Sequence, residues 1–120
     1  MGWAERNERR SRTAREEAGH VVAVRKLGGR VKKAVLEADD SGTVTYSGLH
    51  GFDEAVAALA GPLAAGEGVC KQWDRDVAVR ALRGSGRSFQ DAVDAADRLV
   101  NRHRDDIDRA AKSLYRNGRL

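Results

Sequence analysis

The sequence predicts an α+β domain that is mostly helical, and three observations carry that expectation. Apolar residues in the last third recur at three- and four-residue spacing: Phe89, Val93, Ala96, Val100, His103, Ile107, Ala110 and Leu114. Two short segments with β-type content flank the turn residues Asp39-Asp40-Ser41-Gly42. A nearly all-apolar run, Val21 to Val24, follows a polar cluster, as in a buried helix rather than a surface one.

Taken in order, the first dozen residues read as a flexible basic arm (1–12), and residues 13–120 as a single domain. A chain of 120 residues is enough for one domain and short for two. A first helix is expected from Thr13 to Leu27, stopped by Gly28-Gly29. Val31 to Ala38 and Thr43 to Leu49 form the two arms of a hairpin, the second rich in β-branched and aromatic residues. A second helix covers Asp53 to Ala60 and continues past Gly61-Pro62 to Ala65. A third runs from Asp74 to Leu82, before Gly84-Ser85-Gly86. The tail is one long helix, or two with a joint near Asp105.

Composition narrows the function classes. The chain is 33% charged with a net charge of +4. Its longest apolar stretch, Ala55 to Ala65, is too short to span a bilayer and contains Gly61 and Pro62. The start lacks the apolar run of a secretory signal, and the single Cys70 rules out an intrachain disulfide framework, so the expectation is a cytoplasmic protein. Two basic clusters stand out: Arg6, Arg9, Arg10, Arg12 and Arg15, then Arg25, Lys26, Arg30, Lys32 and Lys33. Such patches can meet phosphate or an acidic protein. Neither is interleaved with stacking aromatics and no base-reading motif accompanies them, so nucleic acid is a partner without motif support. Solvated surface is their plainer reading.

The chemistry centres on Glu16-Glu17-Ala18-Gly19-His20, one residue away from the helical zinc signature His-Glu-x-x-His. Residues four apart share a helix face, so Glu16 and His20 point the same way, and zinc accepts both carboxylate and imidazole. Glu17 is rotated by about 100° from Glu16. A plainer alternative stands beside this one. Thr13 and Glu16 have capping-box spacing, which would make Glu16 a helix-start residue and nothing more.

The segment Thr13-Ala14-Arg15-Glu16-Glu17-Ala18-Gly19-His20-Val21-Val22-Ala23 resembles the helix TAxHEAGHAVVA of FtsH-type zinc metallopeptidase domains. Leu59-Ala60-Gly61-Pro62-Leu63-Ala64-Ala65 is similar to that family's small-residue helix, and Trp73-Asp74-Arg75-Asp76-Val77-Ala78 to the helix that opens with its aspartate ligand. The resemblance implies a zinc site on Glu16, His20 and Asp76, with Asp74 as the other register for the third ligand. It implies Glu17 as general base, a polypeptide substrate, and residues 31–49 as a hairpin beside the cleft whose edge can receive an extended peptide.

Two departures shape the expectation. The chain has neither membrane helices nor an ATPase phosphate loop, so it cannot thread substrates itself. Glu16 replaces the first zinc histidine, which takes the metal centre from a net charge of about +1 to about zero and weakens its pull on water and carbonyl. Arg15 can offset that carboxylate if it faces the pocket. The expectation is therefore a weak or inactive peptidase. The alternative is a non-catalytic binding protein that engages an acidic protein or nucleic acid through its basic surface. Of the remaining residues, His103 and Trp73 read as packed, His50 as a loop residue and Cys70 as an inert thiol. Ser11, Ser41 and Ser47 lack a nucleophile-elbow context.

Overall fold

The computed structural model describes residues 3–67 and 72–120. Five helices and one antiparallel hairpin follow in the order α1 (Trp3–Lys26), β1 (Arg30–Leu36), β2 (Gly42–Ser47), α2 (Gly51–Ala64), α3 (Gln72–Leu82), α4 (Phe89–Arg102) and α5 (Arg104–Asn117). This is the mostly helical α+β class expected from the periodicities. Among the described residues no helix is long and apolar enough to cross a membrane. Cys70 lies outside the described residues.

Helix α1 begins ten residues before Thr13, so residues assigned to a loose arm continue the helix. The run from Trp3 is dense in Arg, Glu and Ala, all strong helix formers. Long-range contacts then hold it: Arg10 Nε donates to the Tyr115 carbonyl at 3.2 Å, and the Tyr115 hydroxyl donates to Asn7 Oδ1 at 3.2 Å. With the helix already formed upstream, Thr13 is interior and Glu16 is not a first-turn residue. The capping-box reading of Glu16 is overturned. A capping box does exist elsewhere, at α4, where Ser88 Oγ accepts from the Asp91 N–H at 3.0 Å and Asp91 accepts from the Ser88 N–H at 3.1 Å.

Helix α2 is buried on nearly every side from Ala55 to Pro62. It packs against α1 on one flank and against α3 and α4 on the other. Two apolar clusters result. One joins α1, the hairpin, α2 and α5 through Val21, Val24, Leu36, Ile107 and Leu114. The other joins α2, α3 and α4 through Val56, Leu59, Ala78, Ala92 and Ala96. Small residues let α1 and α2 approach closely. A Cβ on Gly19 would stand 2.7 Å from the Ala60 carbonyl oxygen.

The hairpin pairs Val31 with Tyr46 and Lys33 with Thr45, with a bulge between Val31 and Lys33. Its turn carries the expected chemistry: Asp39 Oδ1 accepts from the Ser41 N–H at 3.0 Å, and Asp40 takes φ 68°. The outer edge of β1 is covered by the C-terminus, where Leu36 N–H donates to the Gly118 carbonyl at 2.8 Å and Leu120 N–H to the Ala34 carbonyl at 3.0 Å. Strand β2 is left beside α1. The tail helices break at His103, close to the joint expected near Asp105.

Candidate metal centre

The second half of α1 passes between α2 and β2, and this placement buries its polar cluster. Glu16 retains 5% of its exposure and Glu17 7%. Both line a cavity of about 480 Å³ together with His20, Asp74 and the β2 residues Gly42 to Val44 and Tyr46. That volume falls within the usual range of small-ligand sites.

His20 is held from behind. Its Nδ1 lies 2.9 Å from the Ala57 carbonyl oxygen of α2. A carbonyl only accepts, so Nδ1 carries the proton and donates. The lone pair of the neutral imidazole is then on Nε2, as in metal-ligating histidines whose other nitrogen is anchored to a carbonyl. Nε2 faces α3, where Asp74 Oδ1 stands 3.6 Å away. The imidazole fits only because α2 carries no side chain at Gly61, whose added Cβ would overlap the ring.

Asp74 is the third member of the group, and Asp76 is not. Residues two apart on a helix point to different faces. Asp74 turns toward α1 and keeps 7% of its exposure. Asp76 is exposed and accepts a hydrogen bond from Gln72 Nε2 at 2.8 Å on its own helix. One ligand atom each from Glu16, His20 and Asp74 lies within 4.8 Å of the others. Two donors bound to one zinc at about 2.1 Å stand no more than about 4.2 Å apart, and the 3.6 Å between His20 Nε2 and Asp74 Oδ1 lies inside that limit.

Asp74 also supplies the test of whether a cation fits. Among the described residues, no donor reaches its buried Oδ2. A buried carboxylate oxygen left unpartnered is costly, and a bound cation is the partner such an oxygen accepts. The donor chemistry agrees, since two carboxylates and one correctly oriented imidazole are divalent-cation ligands.

The electrostatics point the same way. Burial by itself pushes the His20 imidazole pKa down. The hydrogen bond and charge of Asp74, the charge of Glu17 and the Ala57 carbonyl outweigh it and bring the value to about 9. In the metal-free protein His20 is therefore an imidazolium at neutral pH, and a proton occupies the position a metal would take.

Glu17 lies over the turn end of β2. A Cβ on Gly42 would come within 2.8 Å of its Cδ, so glycine is what lets the strand close over this carboxylate. Further along β2, Tyr46 donates from its hydroxyl to Glu54 Oε2 at 3.1 Å. Burial, then Glu54 and Asp74, push the Tyr46 phenol up to about 12, so it stays protonated.

The other candidates lie elsewhere. Arg15 turns away from the cavity: Nε donates to the Ala64 carbonyl at 3.2 Å, and Nη1 to Asp108 Oδ1 at 2.6 Å. It does not offset Glu16 inside the site. His50 is exposed ahead of α2. His103 is half-buried at the α4–α5 joint, 3.8 Å from Asp106 Oδ2, rather than packed in the core. Trp73 is 71% exposed at the cavity rim, against the expectation that it packs. Cations of both basic clusters are tied to acids, Arg10 to Asp40 at 3.4 Å, Arg12 to Glu67 at 3.6 Å and Lys26 to Asp106 at 3.4 Å. Sequence reasoning missed Tyr46 and Gly42, which line the cavity, and Gly61, which backs the His20 ring. Period-two alternation along β2 puts Val44 and Tyr46 on one face, which was their available signal.

No protein-family model matches this chain, and no curated protein or solved structure does either.

Proposed function

We propose that the chain is a metallopeptidase-type domain, similar to those of FtsH, with a degenerate zinc site formed by Glu16, His20 and Asp74 and weak activity toward peptide bonds. The observation that carries the reading is Asp74. It comes from a remote helix to the one place where its carboxylate completes the pair on α1, and it brings there an oxygen without a donor.

Zinc bound there would polarise a peptide carbonyl and acidify a nearby water. The chain's own residues account for the rest. Glu17 lines the same cavity and is the carboxylate that accepts the proton of the attacking water, then returns it to the leaving amine. His20 is oriented by Ala57, and the hairpin wall from Gly42 to Tyr46 borders the space a peptide enters. Weakness follows from Glu16. With Asp74 it cancels the charge of a divalent cation, and the electrostatic pull on a developing oxyanion falls accordingly.

The test is zinc titration of chelator-treated protein, followed by hydrolysis of an unstructured peptide. Stoichiometric zinc binding that Asp74→Asn removes, with slow hydrolysis that Glu17→Gln removes, is the expected outcome. Zinc binding indifferent to Asp74→Asn contradicts the reading.

A further inference from the structure

The donor set of this site differs from two histidines and one carboxylate by a single exchange, and that exchange alters which metal it favours. We infer that Glu16 shifts the preference of the Glu16–His20–Asp74 site away from zinc and toward hard, oxygen-preferring divalent cations of the manganese class. The inference rests on the proposed metal site and adds the identity of its cation.

Imidazole suits zinc and the later transition metals, whereas carboxylate suits manganese and magnesium. Here the carboxylates outnumber the imidazole within the 4.8 Å group. Glu17 lines the same cavity and adds a third acidic group beside a single histidine. Zinc binds nitrogen- and oxygen-donor sites more tightly than manganese in general, so the effect is read in the ratio of the two affinities, not in their order.

The experiment uses the full chain, stripped with chelator, as wild type, Glu16→His, Glu16→Gln and Asp74→Asn. Manganese binding is read from loss of the free-ion electron paramagnetic resonance signal, and zinc from competition with a chromophoric chelator. Circular dichroism confirms the fold of each variant. The zinc-over-manganese affinity ratio is expected to be at least about tenfold smaller in wild type than in Glu16→His. Glu16→Gln is expected to weaken manganese by a larger factor than zinc, which decides the matter alone if the histidine variant does not fold. Asp74→Asn should lose both metals. Equal ratios across wild type and both Glu16 variants, with metal still bound through Asp74, overturn the inference and leave the site standing. Binding of neither metal to folded wild type, or binding that survives Asp74→Asn, overturns the site and the inference together.

Discussion

A Cβ added to Gly61 on α2 would collide with the His20 imidazole on α1. His20 can therefore sit with Nδ1 against Ala57 and Nε2 toward Asp74 because a residue outside the motif is missing its Cβ. Gly61→Ala should displace the ring. We expect metal affinity to fall by more than about tenfold, with destabilisation of about 1–3 kcal/mol from overpacking. Metal titration and urea unfolding of the same samples check both.

Asp74 and Asp76 make a matched pair for mutagenesis, being two residues apart on one helix but on different faces. Asp74→Asn should weaken metal binding by more than about tenfold. Asp76→Asn removes only the acceptor of an exposed Gln72 hydrogen bond. It should leave metal affinity unchanged and stability within about 0.5 kcal/mol. Equal effects of the two substitutions would refute the assignment of the third ligand.

The metal-free protein should lose stability as pH rises. The His20 pKa is about 9 when folded and 6.5 in its ordinary state. A raised folded value stabilises fully below the unfolded value, and that contribution disappears as pH climbs through the folded one. Denaturant unfolding of chelated protein between pH 6 and pH 9.5 should show this decline. His20→Gln should show less of it, the difference isolating His20 from the other titrating groups. A slope identical in both proteins would mean His20 is not protonated in the folded state.

Glu16→His restores the two-histidine donor set and the positive metal centre. Peptide hydrolysis by the zinc-loaded variant should rise at least about tenfold over wild type. Adding Glu17→Gln to that background should remove the gain. Turnover assays at saturating zinc read both changes, and an unchanged rate in Glu16→His would show that charge at the centre is not what limits wild type.

Much of this architecture was legible from local chemistry. The Asp39–Gly42 turn, the period-two content of β2 and the spaced apolar residues of the tail each specify an element without help from the rest of the chain. The start of α1 was not legible, because its first turns carry helix formers without an apolar stripe and the distant partners that hold them, such as Tyr115, leave no local pattern. Glu16 and His20 could be paired from helical spacing alone. The choice between Asp74 and Asp76 could not be made that way, since it depends on how α3 rolls on α2, and that is set by Ala78 and the α2 face beneath it. The roles of Gly42 and Gly61 were hidden for a similar reason: a missing side chain leaves no pattern until its neighbours are placed.

The claim on which everything rests is that Glu16, His20 and Asp74 close around one divalent cation. X-ray absorption at the zinc edge of stoichiometrically loaded protein tests it most directly. The account predicts one imidazole nitrogen and two carboxylate oxygens at about 2.0–2.2 Å, with the oxygen count falling in Asp74→Asn and the nitrogen lost in His20→Gln. A zinc shell that neither substitution changes would place the metal elsewhere and contradict the account.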